Sequence, residues 1–294
     1  MARFLVTGAS GFIGKRFLER LRHDFGDSAV IGTSFSHSKP GLESLDMADR
    51  DATHAFFQKV KPKVVIHCAA MPGVNQCEIE KEKARLLNLT GTQNIVDACK
   101  AVGAMIVFLS TNYVFDGKKG DYTEEDPTHP LNQYGRLKLE AERYIQKQLS
   151  KYIILRTTNV FGYDPDSKNF VMTTIATLKG GKTLTVAVDQ DGNPTHVDDL
   201  VAMGLRLIQL GKSGVYNAAG PDNDNRLEFS RKIASAFGLD PGLIVGKKTE
   251  ELKELALRPK RANFDISKIV RQTGIHPLNT LAGLEHMRDE MKHG

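Results

Sequence analysis

The octapeptide Thr7-Gly8-Ala9-Ser10-Gly11-Phe12-Ile13-Gly14 joins two segments of different periodicity. A strand-like run, residues 3–6, precedes it, and Ile13, Phe17 and Leu21 follow at helical spacing. We therefore predict a first strand, a tight glycine turn and the N-terminus of a helix. Such a junction binds anions, because unpaired backbone N–H groups and the positive end of the helix dipole face the ligand, and glycine lets a phosphate approach the backbone.

A dinucleotide is the expected ligand of this turn. Its glycines are spaced G-x-x-G-x-x-G and come directly after a first strand, which is the context that a dinucleotide-binding turn requires. The residues that we expect to contact the cofactor here are Gly8, Ser10, Gly11, Phe12, Ile13 and Gly14.

Length and composition are typical of a soluble enzyme. With 294 residues, 40% of them hydrophobic, the chain can bury a large core and hold one large α/β domain with a smaller region beside it. No run is long and apolar enough to span a bilayer, and because the first strand begins at about residue 3 we expect no signal peptide. We expect a cytoplasmic protein that does not bind membranes.

The cysteines and charges argue against disulfides, a metal site and nucleic-acid binding. Three cysteines without a C-x-x-C spacing suggest neither disulfides nor zinc, and we predict no metal site. The net charge of +5 comes from scattered lysines and arginines that lack interleaved aromatic residues, so we expect no nucleic-acid partner. His196 precedes two acidic residues at a helix start, where a structural role is expected.

Strand and helix patterns alternate along the first half of the chain. Strands are predicted at 29–33, 64–68, 105–110 and 152–156, with helices at about 83–101 and from Tyr134 onward. This βαβ repetition predicts an α/β fold, a Rossmann-type doubly wound parallel sheet that binds its ligand at the carboxyl ends of the strands. We assign 1–160 to a dinucleotide-binding domain and 161–294 mainly to substrate binding, with a return to the sheet near 215–218.

The end of the second strand bears on the choice of cofactor. Folds of this kind that prefer NAD usually carry Asp or Glu about 20 residues past the glycines, where it binds the ribose 2′-hydroxyl. Residues 33–39 contain no carboxylate and offer groups that can hold a 2′-phosphate. We therefore predict NADP, with NAD as the alternative. The candidates in this segment are Ser34, Ser36 and His37.

Two more short segments are candidates for cofactor contact. Asp46 and Met47 precede a predicted helix, and we expect them at the adenine, although Asp46 could instead cap a turn. Cys68, Ala69 and Ala70 follow the strand at 64–68, where a cofactor crosses the carboxyl edge of the sheet.

Thr111, Tyr134 and Lys138 are the predicted catalytic residues. On a helix, Tyr134 and Lys138 lie one turn apart on the same face, so the ammonium would lower the pKa of the phenol from about 10 and would also hold the nicotinamide ribose. The phenol would then donate a proton. Thr111, at the end of a predicted strand, would hydrogen-bond the substrate oxygen and fix it for hydride transfer.

Stretches along nearly the whole chain resemble the dTDP-4-dehydrorhamnose reductase family of extended short-chain dehydrogenases/reductases. The matching segments are Ser110-Thr111-Asn112-Tyr113-Val114-Phe115-Asp116-Gly117, Tyr122-Thr123-Glu124-Glu125-Asp126, Tyr134-Gly135 with Lys138, Asn169-Phe170-Val171, Val188-Asp189-Gln190 with Pro194-Thr195, and Arg258-Pro259.

This resemblance implies reduction of the 4-keto group of a nucleotide-linked 6-deoxy sugar, with NADPH as hydride source and Tyr134 as proton donor. It implies a nucleotide-sugar substrate and leaves a homodimer open. Asn112 stands where the family usually has Asp, and Asn159 where many members have Trp, so the sugar is left open. The residues expected to bind substrate are Ser110, Thr111, Asn112, Asn159, Asn169 and Arg258.

One related function is excluded, and two others remain open. Sugar-nucleotide dehydratases carry Asp-Glu after the catalytic Thr, and Asn112-Tyr113 cannot serve as that acid-base pair, so a dehydratase is set aside. A sugar-nucleotide epimerase needs the same Tyr and Lys and is not excluded by motif. The chain is also similar to the regulatory β-subunit of methionine adenosyltransferase, which would make it a non-catalytic NADP-binding subunit.

The absence of a carboxylate at the end of the second strand predicts the cofactor preference. NADPH should bind more tightly than NADH by about 1 kcal/mol or more, because the extra phosphate gains a charge-assisted hydrogen bond. Fluorescence titration of the purified protein with each nucleotide measures the difference. Equal or reversed dissociation constants would contradict the prediction.

Overall fold

The first strand explains why the sheet is covered on both faces. In a computed structural model that describes residues 3–36 and 39–293, β1 (Phe4–Thr7) is buried along its whole length. Phe4 and Val6 pack into one apolar cluster and Leu5 packs into another, because successive side chains of a strand point to opposite faces. Both faces therefore need helices.

Seven parallel strands make the central sheet, as predicted from the sequence. The remaining strands are β2 (Val30–Ser34), β3 (Glu43–Ser44), β4 (Val64–His67), β5 (Met105–Thr111), β6 (Tyr152–Thr157), β7 (Val160–Phe161), β8 (Leu184–Ala187), β9 (Asp191–Gly192), β10 (Thr195–His196), β11 (Gly214–Asn217), β12 (Asp224–Asn225) and β13 (Ile244–Lys247). The sheet order is β11-β6-β5-β4-β1-β2-β3, and every pair in it is parallel.

The helices alternate with these strands. They are α1 (Phe12–Phe25), α2 (Arg50–Val60), α3 (Val74–Ile79), α4 (Lys81–Arg85), α5 (Gly91–Val102), α6 (Gln133–Gln148), α7 (Phe170–Lys179), α8 (Val197–Gln209), α9 (Arg226–Phe237), α10 (Ser267–Thr273) and α11 (Thr280–His293). Within the described ranges, no helix is both long and apolar enough to cross a lipid bilayer.

The strand order places a crevice between β1 and β4. The chain runs outward from β1 to β2 and β3, then returns to β4 on the other side, so the connections on either side of this point diverge. Beneath the crevice, His67 Nδ1 lies 2.6 Å from Thr7 Oγ1 and its Nε2 lies 3.0 Å from Thr92 Oγ1. Burial lowers the pKa of His67 to about 3, so the imidazole is neutral.

The segment predicted as one helix over 83–101 is interrupted. A π-helical turn, Leu86–Thr90, separates α4 from α5. Within it, the Asn88 amide bonds the backbone of Met71, accepting from its N–H at 2.7 Å and donating to its carbonyl at 3.0 Å. The helix thus supports the loop after β4, and π-turns often mark such functional positions.

After β7 the chain builds a second core and also re-enters the sheet. Helices α7, α9 and α11 bury a cluster that includes Phe161, Val171 and Phe229. Strand β11 lies parallel to β6 at the sheet edge, while Leu200 and Val201 of α8 join the core beneath the sheet. The division into a domain at 1–160 and a region at 161–294 stays a prediction.

Candidate active site

The glycine turn is shaped to receive a phosphate. Gly8 has φ +67°, and a Cβ there would lie 2.6 Å from the backbone nitrogen of Ala69. A Cβ on Gly14 would lie 2.2 Å from the Gly8 carbonyl oxygen, so this glycine lets the helix pack on the turn. At Gly11 the nearest atom would be 3.4 Å away, and no side chain caps α1. The first N–H groups of α1 therefore fit the diphosphate of a dinucleotide.

The end of β2 carries hydroxyl groups rather than a carboxylate. Ser34 is buried, and Ser36 follows it two residues later. His37, the third residue predicted to contact a 2′-phosphate, lies outside the described residues. Lys39 lies nearby, where its ammonium is 2.8 Å from the Asp166 carboxylate in an exposed ion pair.

The other predicted cofactor contacts fall into two groups. Asp46 Oδ1 accepts a hydrogen bond from Ala48 N–H at 2.9 Å, the turn-capping geometry that the sequence left as an alternative. Met47 is buried, and a Cβ on Gly91 of α5 would lie 2.8 Å from its Cγ. Cys68 and Ala70 line the central cavity described below.

Helix α6 holds the predicted catalytic pair. Its N-cap is Asn132, whose Oδ1 accepts from Gly135 N–H at 2.8 Å. Gly135 is required because a Cβ there would lie 2.1 Å from the Tyr113 carbonyl oxygen. Tyr134 and Lys138 follow one turn apart and both line the cavity.

The expected effect of Lys138 on Tyr134 is wrong for this structure. Burial raises the pKa of the Tyr134 phenol well above its usual range, and a hydrogen bond with Thr111 opposes that rise. The Lys138 ammonium instead donates to the Leu109 carbonyl at 2.8 Å and lies 4.5 Å from the centre of the Phe108 ring. Tyr134 therefore stays protonated, as a proton donor must.

The end of β5 supplies polar groups with different partners. Thr111 Oγ1 accepts from Tyr113 N–H at 3.2 Å, and the Asn112 amide donates to the Ala262 carbonyl at 3.2 Å. Ser110 lines the cavity, but its hydroxyl donates to the Glu142 carboxylate. The Ser110 hydroxyl is thus hydrogen-bonded within the protein interior and does not point freely into the cavity.

A buried ion pair explains the position of Ser110. Glu142 and Arg156 meet in a two-pronged contact, with Nη2–Oε2 at 2.7 Å and Nε–Oε1 at 3.1 Å. Both side chains are almost fully buried. The Glu142 carboxylate also raises the pKa of Lys138, although burial has the larger and opposite effect.

The three remaining predicted substrate contacts lie on the C-terminal side. Asn159 lines the cavity with a left-handed backbone, φ 49°, which Asn tolerates better than most residues. Asn169 caps α7, accepting from Met172 N–H at 3.1 Å and donating to the Gly162 carbonyl at 3.0 Å. Both ends of the Asn169 amide are thus occupied.

Arg258 lies beside the site, in an adjoining groove. Its Nη2 donates to Asn75 Oδ1 at 3.0 Å, and its Nε lies 3.4 Å from the Glu254 carboxylate. Its Nη1 donates to the Tyr113 hydroxyl at 3.4 Å. The Tyr113 ring meets the Tyr134 ring edge-on, with centroids 6.3 Å apart, so Arg258 is linked to the site through Tyr113.

A cavity of about 370 Å³ brings most of these residues together. The predicted site residues that line it are Ile13, Cys68, Ala70, Ser110, Thr111, Asn112, Tyr134, Lys138 and Asn159. The lining also includes polar or aromatic residues that the sequence analysis missed: Tyr113, Thr157, Thr158, Phe170, Gln190, Asp191 and Arg226. Thr157 is notable among them, because its buried hydroxyl has no hydrogen-bond partner among the described residues.

A second polar cluster lies outside this cavity. His196, Asp198, His286 and Glu290 each place one ligand-type atom within 4.8 Å of those of the other three. Arg16 pairs with both carboxylates, at 3.6 Å from Asp198 and 2.6 Å from Glu290. His196 also caps α8, accepting from Asp198 N–H at 3.4 Å, which is the structural role expected from the sequence.

Comparison with known proteins identifies relatives over the whole chain. The family described as "RmlD substrate binding domain" matches residues 2–293. A dTDP-4-dehydrorhamnose reductase from Aggregatibacter actinomycetemcomitans is 33% identical over 98% of this chain and 99% of that protein. The methionine adenosyltransferase 2 subunit beta of Xenopus laevis is 32% identical, covering 91% of this chain and 81% of that protein.

A solved structure supports the same relationship. The dTDP-4-dehydrorhamnose reductase of Bacillus anthracis, crystallised with NADP, has a TM-score of 0.90 and 31% identity, covering 99% of this chain and 100% of that one. The resemblance inferred from the sequence is therefore confirmed, and so is the additional similarity to the methionine adenosyltransferase subunit.

The buried ammonium of Lys138 predicts a pH-dependent stability. Burial lowers its pKa to about 8, whereas in the unfolded chain it is about 10.4, so between these values the unfolded state binds more protons. Relative to Lys138→Met, the wild type should gain stability as pH rises through this window, by at most about 1.4 kcal/mol per pH unit. Urea unfolding of both proteins from pH 7 to 10 measures it. If the free energies of unfolding of the two proteins changed in parallel with pH, the lowered pKa of Lys138 would be contradicted.

Proposed function

The chain belongs to the RmlD substrate-binding-domain family, and from that premise we propose that it is an NADPH-dependent reductase of a nucleotide-linked 4-keto-6-deoxy sugar. The observation that carries the proposal is the meeting of Thr111, Tyr134 and Lys138 in one cavity, beside a glycine turn that fits a dinucleotide. NADP is the nucleotide found with the Bacillus anthracis relative.

The cofactor supplies a hydride when it is bound, and the residues of the chain do the rest. The α1 N-terminus and the glycine turn would hold the diphosphate, and Ser34 with Ser36 are the described candidates for the 2′-phosphate. The cavity wall at Cys68 and Ala70 lies along the same crevice. This edge of the parallel sheet is where such folds bind their ligands.

Proton transfer is assigned to Tyr134. Because its phenol is held protonated by burial, it donates its proton to the carbonyl oxygen as the carbon becomes a secondary alcohol carbon. The Thr111 hydroxyl, hydrogen-bonded with the phenol, orients that oxygen. The Lys138 ammonium, one turn away on α6, would hold the nicotinamide ribose. In the structure it donates to the Leu109 carbonyl, so no effect on the Tyr134 phenol is assigned to it.

A second function is favoured by one observation. The Xenopus laevis relative, a subunit of methionine adenosyltransferase 2 by its name, is almost as similar in sequence as the Aggregatibacter reductase. In that case the chain would bind NADP and associate with another protein without turning over a sugar. The epimerase alternative has support only at the level of the fold, because the epimerase of Thermus thermophilus is 21% identical.

Substitution of Tyr134 tests the reductase directly. Tyr134→Phe should keep NADPH binding and reduce turnover on the order of a hundredfold or more, the usual effect of removing a general acid. The assay is NADPH oxidation with dTDP-4-keto-6-deoxy-L-lyxo-hexulose. Tyr144→Phe on the same helix, whose hydroxyl bonds Asp97 at 2.7 Å outside the cavity, is the matched control and should retain activity.

One outcome would contradict the role of Tyr134 and another would contradict the reductase. If Tyr134→Phe turned over at the wild-type rate, the proton donor would be another group. If the wild type bound NADPH but oxidised it with no 4-keto sugar nucleotide, the regulatory-subunit function would be favoured, and co-purification with a partner protein would then be the next measurement.

A further inference from the structure

Arg226 is a cation in the cavity wall that the proposed chemistry does not use. It is the first residue of α9, directly after the N-cap Asn225. The Asn225 side chain accepts from the N–H groups of Leu227 and Glu228 at 3.0 Å each. In turn, the Glu228 carboxylate accepts from Asn225 N–H at 3.2 Å. This capping box fixes the helix start and with it the origin of the Arg226 side chain.

Packing holds the guanidinium against the cavity. Its central carbon lies 4.6 Å from the centre of the Phe170 ring, a cation–π distance, and Phe170 stacks on Phe229 of the C-terminal core with centroids 5.5 Å apart. Phe170 and Arg226 both line the cavity that contains Tyr134. The stacked rings of Phe170 and Phe229 therefore support the Arg226 guanidinium in the wall of the cavity that contains Tyr134.

Arg226 has no paired carboxylate among the residues that the structure describes, since none places a carboxylate oxygen within 4.0 Å of its guanidinium. The guanidinium hydrogen-bonds the Tyr113 hydroxyl, and Glu254 attracts it only from a longer distance. Arg258 approaches the same hydroxyl from its own side at 3.4 Å, but Arg258 is paired with Glu254. Two guanidinium groups thus share one phenol, and the charge of Arg258 disfavours that of Arg226.

An anion would resolve this arrangement. A half-buried guanidinium without a counter-ion is costly, and its planar fork matches the paired oxygens of a phosphate or carboxylate. The N-terminus of α1 provides for the anionic groups of the dinucleotide, whereas Arg226 belongs to the C-terminal segment of the cavity wall. We propose that Arg226 is a specificity-determining residue that binds an anionic oxygen group of the sugar-nucleotide substrate, a role that rests on the proposed function for the identity of that substrate.

The diphosphate of the proposed substrate carries this chemistry, because a 6-deoxy sugar has no carboxylate at carbon 6. Binding of dTDP against thymidine tests it, measured by calorimetry or ligand-observed NMR in saturating NADP⁺. Arg226→Gln should weaken the binding of dTDP about tenfold relative to that of thymidine. Arg226→Lys should fall between, because lysine keeps the charge but loses the fork.

Arg231→Gln is the control, since Arg231 is an exposed residue of the same helix. It should leave the affinities for dTDP and thymidine unchanged, and both glutamine variants should keep the wild-type affinity for NADPH. The proposal would be overturned if Arg226→Gln left the affinity for dTDP unchanged, or if it weakened dTDP and thymidine equally. Because these readouts are binding constants, failure of the reductase would appear separately, as absent NADPH oxidation.

Discussion

The side-chain amide of Asn132 makes two hydrogen bonds on which the site depends. Its oxygen caps α6, the helix that carries Tyr134 and Lys138, and its nitrogen donates to the Leu257 carbonyl at 2.9 Å. The residue is fully buried, so losing either bond would leave an unsatisfied polar group in the interior. One side chain thus fixes the start of α6 and the segment that brings Arg258 to the site.

Other buried asparagines also bond backbone groups of the same C-terminal segment. The Asn112 amide donates to the Ala262 carbonyl, Asn193 Oδ1 accepts from Phe264 N–H at 2.7 Å, and Asn217 donates to the carbonyls of Tyr122 and Asp265 at 2.7 and 3.2 Å. A short amide can reach two backbone groups at once, which makes Asn suited to joining irregular backbone to a sheet. The cavity walls from both halves of the chain are therefore held together before any ligand binds.

The elements that follow from local pattern could be predicted, whereas those set by distant contacts could not. The parallel sheet follows from apolar strands alternating with helices, and the turn at 7–14 follows from its glycines. Tyr134 and Lys138 share a cavity because helical spacing requires it. The sequence does not indicate Arg226, because only the folded chain brings the start of α9 into the same cavity as the end of β5. The prediction of a lowered pKa for the Tyr134 phenol is wrong, because the sequence shows neither the burial of the phenol nor the hydrogen bond from Lys138 to the Leu109 carbonyl. Asn169 and Ser110 were chosen by motif, but their side chains are engaged by neighbouring protein groups.

The central claim is that this cavity transfers a hydride to a sugar carbonyl. The most direct test uses NADPH deuterated at both positions of the nicotinamide C4, incubated with the wild-type protein and dTDP-4-keto-6-deoxy-L-lyxo-hexulose, followed by mass spectrometry and NMR of the sugar. The expected product carries one deuterium per molecule, bound to carbon 4 of the sugar. A product without deuterium, deuterium at another carbon, or no product at all from a protein that binds NADPH would contradict it.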